Sequence, residues 1–235
     1  MDSKTVLAKL EACGSAQTRK TYGRHGVQGP MFGVSYQHLG TLKKAIKTDH
    51  SLAMELWASG NHDARILATM IADPLLMTGS VIDRWLKELD NHVQGGAFST
   101  LVSGSPLALK KAEKWRDSKR ELVSYCGWSV TSLLAMRPDG TDEQLARRLD
   151  DEMFAPLVEV IEKQIHGAPN RTRYAMNQTL IAIGVRSDKL RKLALPAAKR
   201  IGKVEVDHGD TSCKTPDAAA YIAKTVAHRA KKSIC

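Results

Sequence analysis

The sequence predicts an all-α protein, an α-solenoid or superhelix of stacked antiparallel helix pairs, and three observations carry that expectation. Aromatic residues make up only 5% of the 235-residue chain, and β-branched residues rarely alternate as a half-buried strand requires. Apolar residues instead recur at spacings of three and four almost everywhere, the period of a helix face packed on a core. Short Gly, Asn or Pro turns then separate helices of similar length, as in helical hairpins that cannot bury their apolar faces alone.

The elements follow in order. Residues 2–13 place Val6, Leu7 and Leu10 on one face, and Gly14 stops the helix as a C-terminal glycine does. Residues 16–24 form a second helix, the run Gly26-Val27-Gln28-Gly29-Pro30 breaks the chain, and Ser35 or Tyr36 opens a third helix through Lys47. Pairs then arrive regularly at 51–59 with 62–72 and at 79–89 with 91–102. Further helices are expected at 106–115, 118–136, 141–165, 170–185, 188–201 and 216–231, about twelve in all. No internal sequence repeat stands out, so a compact helical bundle competes with the solenoid. Lys203-Val204-Glu205-Val206 alternates like a strand but is too short to build on. Nothing forces a domain boundary, and one domain over 1–235 is expected.

Composition narrows the function. With 43% hydrophobic and 26% charged residues, the chain resembles an ordinary globular protein. It has no apolar run long enough for a membrane helix, and its start, MDSKTVLAKLEACG, lacks the apolar core of a signal peptide; a cytoplasmic monomer is expected. Cys13, Cys126, Cys213 and Cys235 lie far apart without zinc-ligand spacing, so neither a disulfide framework nor a metal site is indicated, and no residue spacing implies an organic cofactor.

Net charge is +10, and it is segregated. Residues 168–235 hold 14 Lys/Arg against 5 Asp/Glu and residues 1–40 hold 5 against 2, whereas 41–167 hold 16 against 18. Nucleic acid is the natural partner for such basic ends.

Within the basic C-terminal part, Pro169-Asn170-Arg171-Thr172-Arg173 begins a helix. If Asn170 caps it, free backbone N–H groups beside Arg171 and Arg173, with Asn177 one turn below, make a phosphate site. Lys199, Arg200 and Lys203, with Arg191, Lys192, Lys224, Arg229, Lys231 and Lys232, would extend a phosphate track. The polar turn Asp207-His208-Gly209-Asp210-Thr211-Ser212-Cys213-Lys214-Thr215-Pro216-Asp217 offers an anion nest with Lys214, residue types for thiol chemistry at Cys213, or simply a loop that docks the last helix. Trp57, Trp85, Trp115 and Trp128 fall in apolar-periodic helices and read as core.

Several segments carry a resemblance. Met31-Phe32-Gly33-Val34-Ser35 followed by Leu39-Gly40-Thr41-Leu42-Lys43-Lys44 is similar to an aromatic-Gly-aliphatic turn opening a Lys-rich helix. Glu55-Leu56-Trp57 leading into His62-Asp63-Ala64-Arg65-Ile66-Leu67-Ala68, and Ser105-Pro106-Leu107-Ala108 with Trp115 and Glu121-Leu122-Val123, continue the pattern. On these motifs, over residues 31–205, the chain resembles the DNA alkylation repair family with HEAT-like repeats, the alkylpurine DNA glycosylase superfamily.

The resemblance implies a basic concave face that grips duplex DNA. In active members it also implies release of N3- or N7-alkylated purines, for which a carboxylate stabilises the developing sugar cation or positions water. Aligned on Phe98, however, His92 occupies the place of the family's Trp and Gly96 that of its catalytic Asp. Tyr125 stands at a DNA-facing Arg, and Gln178 at a second aromatic position. The catalytic carboxylate is therefore missing in this register, with Asp90, one turn away, and His92 as the remaining candidates. DNA binding without glycosylase chemistry, to duplex and to damaged or branched structures, is the first expectation. An active alkylpurine glycosylase and a protein-interaction scaffold remain as alternatives.

Overall fold

The computed structural model describes residues 1–137 and 149–232, in two compact units. Met1–Ala108 with His208–Ser212 form one, and Leu109–Asp207 with Cys213–Cys235 form the other. Thirteen α-helices and two 3₁₀ turns account for the regular structure among the described residues. None of these helices is long and apolar enough to cross a membrane.

The first unit contains α1 (Ser3–Ala12), α2 (Ala16–Arg24), α3 (Tyr36–Ile46), α4 (His50–Ala58), α5 (His62–Ile71), α6 (Gly79–Glu88) and α7 (His92–Ser103). Their starts are fixed locally. Asp2, Ser15, Ser35, Asp49, Asn61, Thr78 and Asn91 each accept a backbone N–H of the first turn with their side chains, which satisfies donors a helix cannot satisfy itself. Helices α4 and α5 form a hairpin, and α5 packs against both α3 and α7.

Two hairpins are riveted together by Trp57 and Trp85, whose rings stack at 3.9 Å and 4°, with Phe98 at 6.4 Å from Trp57. The Trp57 indole donates to Glu88 Oε2 at 2.5 Å, and the Arg65 guanidinium lies 5.1 Å from the Trp57 ring.

The second unit contains α8 (Ala108–Arg116), α9 (Glu121–Ala135), α10 (Asp151–Gln164), α11 (Asn170–Arg186), α12 (Asp188–Ile201) and α13 (Ala218–Lys232). Helix α11 is its axis and packs against α9, α10, α12 and α13. Glycine makes two helix approaches in this unit close. A Cβ at Gly127 would stand 2.5 Å from Arg116 N, and one at Gly184 would stand 2.5 Å from Ile222 Cδ1. Trp115 and Trp128 are buried, as their periodicity predicts.

The structure shifts some expected bounds. Of the helix expected at 141–165, α10 supplies the part from Asp151 onward, and residues 141–148 lie outside the described residues. The segment Lys203-Val204-Glu205-Val206 belongs to no strand. It is held by α11, since Arg173 donates to Glu205 O at 2.8 Å.

Candidate nucleic-acid interface

In the first unit the opening motif acquires a physical reason. Asp63, at the start of α5, is fully buried, and its carboxylate accepts the backbone N–H groups of Phe32 at 2.7 Å, Gly33 at 3.0 Å and Val34 at 2.8 Å. Gly33 turns with φ +79°, and a Cβ there would meet Arg19 Cγ at 2.5 Å, so only glycine lets the chain wrap the carboxylate. Tyr22 donates its hydroxyl to Val34 O at 2.7 Å beneath the same turn.

Beside Asp63, His62 is 1% exposed and packs edge-on to Tyr22, 5.0 Å between centroids. Asn91 Oδ1 accepts Gln94 N, and its amide nitrogen donates to Asp90 Oδ1, which fixes the amide orientation. That nitrogen lies 3.5 Å from His62 Nδ1, and Gln94 Nε2 lies 3.3 Å away. Both side-chain amides thus face His62 Nδ1. Burial pushes the His62 pKa below its ordinary value, outweighing the opposite pull of Asp63 and Asp90.

A cavity of about 450 Å³ opens among α3, α5 and α7, lined by Tyr36, Lys43, Thr69, Pro74, Gly96 and Thr100 among others. Gly96, the position expected from the resemblance to replace a catalytic Asp, is on its wall. No Asp or Glu is among the residues that line it. Asp90 is exposed and is engaged by Asn91, while the His92 ring lies 6.3 Å from His25; neither lines this cavity.

In the second unit the start of α11 differs from the expected phosphate site. Pro169, not Asn170, is the N-cap, and the Glu121 carboxylate accepts Arg171 N at 2.6 Å, so an acid of the chain itself occupies the helix terminus. Asn170 instead grips the backbone of Asp207, donating to its carbonyl at 2.7 Å and accepting its N–H at 2.7 Å. Arg173 donates to Glu205 O and to Ala168 O at 2.9 Å, and fully buried Asn177 donates to Pro216 O at 3.0 Å. The side chains of Asn170, Arg173 and Asn177 thus tie Glu205, Asp207 and Pro216 to α11. Arg171 is half-exposed.

The expected basic track divides in two. Arg200 forms a bidentate pair with Glu162 at 2.6 and 2.9 Å, and its pKa is raised by that carboxylate; Lys203 meets Glu205 at 2.5 Å and Lys189 meets Glu152. Lys192, Lys199 and Lys214 are exposed and without an ion pair among the described residues. Helix α13 adds an outer face of exposed Tyr221, Lys224, His228 and Lys231. Its aromatic member was not singled out from sequence, although the spacing of three, four and three would have placed it beside the lysines.

Tyr125 is 8% exposed, and burial raises its phenol pKa; Gln178 is half-buried. Cys213 is exposed. Among the described residues no group of three or more His, Cys, Asp or Glu could hold a metal ion.

The model of the family described as DNA alkylation repair enzyme matches residues 6–222. The chain belongs to that family. Its relatives include the uncharacterized protein Lin0241 of Listeria innocua serovar 6a, 32% identical across 92% of this chain and 93% of the relative. Uncharacterized protein Lmo0209 of Listeria monocytogenes serovar 1/2a is 30% identical across the same shares. A solved structure superposes with a TM-score of 0.85 at 33% identity, covering 97% of this chain and 95% of that one. It is described as "a new family of proteins related to the HEAT-like repeat DNA glycosylases with affinity for branched DNA structures". The all-helical, HEAT-like character expected from sequence is therefore established for this family member.

Proposed function

We propose that this member of the DNA alkylation repair family binds DNA, branched as well as duplex, without excising alkylated bases by the family's usual mechanism. The observation that carries the reading is the cavity wall. The position resembling the catalytic Asp is Gly96, and no acid lines the cavity around it. A developing sugar cation there would meet Lys43 and hydroxyls, with no carboxylate to stabilise it. Binding is supported by the kinship to a protein with affinity for branched DNA and by exposed Lys192, Lys199 and Lys214, which form no ion pair among the described residues. Arg171 joins them as a candidate phosphate contact, while Arg173, Asn177, Arg200 and Lys203 act mainly by holding the scaffold that presents them.

The test is one titration against duplex, branched and N7-methylguanine-containing DNA at two salt concentrations, with released bases assayed from the same tubes. Salt-weakened binding without base release is expected. Base release abolished by Asp90→Asn would overturn the non-catalytic reading. No binding at low salt would overturn both DNA readings in favour of a protein-interaction scaffold.

A further inference from the structure

The chain crosses from α5 to α6 by a single 3₁₀ turn, Pro74–Leu76, and two adjacent leucines stand on it in solvent, Leu75 at 70% exposure and Leu76 at 56%. Among the described residues the other exposed large apolar side chains stand singly along the chain. The turn is built to be stiff. Asp73 accepts Leu75 N at 2.9 Å with its side chain and Leu76 N at 3.2 Å with its carbonyl, Pro74 fixes φ in the first position, and Met77 is anchored at 3% exposure. Pro74 is also wedged against the end of α7, so closely that a Cβ at Gly104 would stand 2.9 Å from Pro74 Cβ. The leucines therefore project from a braced knuckle rather than a loose loop.

Their position gives that knuckle a purpose. Pro74, the residue before the two leucines, lines the same cavity as Lys43 and half-exposed Tyr36, and no Asp or Glu lines that cavity. We propose that Leu75 and Leu76 are a wedge that sits against the open face of a base pair at a DNA branch point, where stacking is already interrupted. Apolar side chains inserted into intact duplex must first unstack a base step, and a branch point removes that cost. The wedge thus turns general DNA binding into preference for branches, with Lys43 placed to meet the adjoining phosphate. The inference rests on the DNA-binding reading above.

The experiment uses the full chain at low salt with a three-way junction carrying 2-aminopurine beside the branch, and a linear duplex of the same sequence. The wild-type protein should favour the junction about tenfold and brighten the 2-aminopurine, as unstacking does. Leu75→Ser/Leu76→Ser should hold its melting temperature and its duplex affinity within about twofold, yet lose the junction preference and the brightening. Leu75→Met/Leu76→Met, apolar and similar in bulk, should keep both. Preference and brightening retained by the serine variant would overturn the wedge. So would wild-type protein that binds duplex and junction equally, which leaves DNA binding intact. Failure of the wild-type protein to bind either DNA overturns the DNA-binding reading and the wedge with it.

Discussion

Replacing Asp63 by Ala should unbalance the first unit more than any exposed substitution. The carboxylate is fully buried and serves three backbone N–H groups, of Phe32, Gly33 and Val34. Leaving a buried donor without a partner costs about 1–3 kcal/mol, so three of them lose about 3–9 kcal/mol. That is a large share of the roughly 5–15 kcal/mol by which a domain is stable. Asp63→Asn is the discriminating variant. Phe32 and Gly33 share Oδ2 and Val34 uses Oδ1, so an amide whose oxygen takes the Oδ2 place keeps two bonds and opposes one donor with another. Its cost should be about 1–3 kcal/mol. Urea unfolding followed by circular dichroism measures both, and at roughly 1–3 kcal/mol per molar the Asn variant should lose about 1 M in midpoint with an unchanged slope. An Ala variant that loses under about 1 kcal/mol, or an Asn variant as damaged as Ala, would refute the argument that this carboxylate organises the turn.

Further outcomes follow from neighbouring geometry. Because burial holds the His62 pKa below its ordinary value of 6.5, the unfolded chain takes up more protons in mildly acid solution. Stability should therefore fall as pH drops below about 6.5, and His62→Gln should flatten the melting temperature between pH 7.5 and 5.5. Gly184→Val should cost about 1–3 kcal/mol by driving a side chain into Ile222, measurable by thermal melting and relieved by Ile222→Ala in the double variant. Lys192→Ala/Lys199→Ala should lower the slope of log affinity for duplex DNA against log salt by about 1.8, since each phosphate contact contributes about 0.9. Arg200→Ala should change that slope less, because Glu162 already neutralises the guanidinium.

Much of the architecture was legible because its causes are local. Helix starts were readable where a short polar side chain precedes an apolar-periodic run, as at Ser15, Ser35 and Asn61, and the four tryptophans fell in the core because their spacing places them on apolar faces. The absence of an acid at position 96 was likewise readable, because it depends only on which residue the chain carries there.

The start of α11 was misread for the opposite reason. Asn170, Arg171, Arg173 and Asn177 have the composition of an anion site, but their partners, Glu121, Asp207, Glu205 and Pro216, lie from 32 to 50 residues away in sequence. A helix terminus looks vacant until the fold brings another segment to it. The cavity around Gly96 was invisible for the same reason, since three helices supply its wall, and so was the division of the basic track into lysines without partners and cations neutralised by α10. Sequence alone determined most of the helices, the buried aromatics and the glycine at position 96, because each is set by the residue and its near neighbours. Tertiary structure alone decided which charges remain open to a ligand and which pair of leucines stays exposed, because both depend on what distant segments cover.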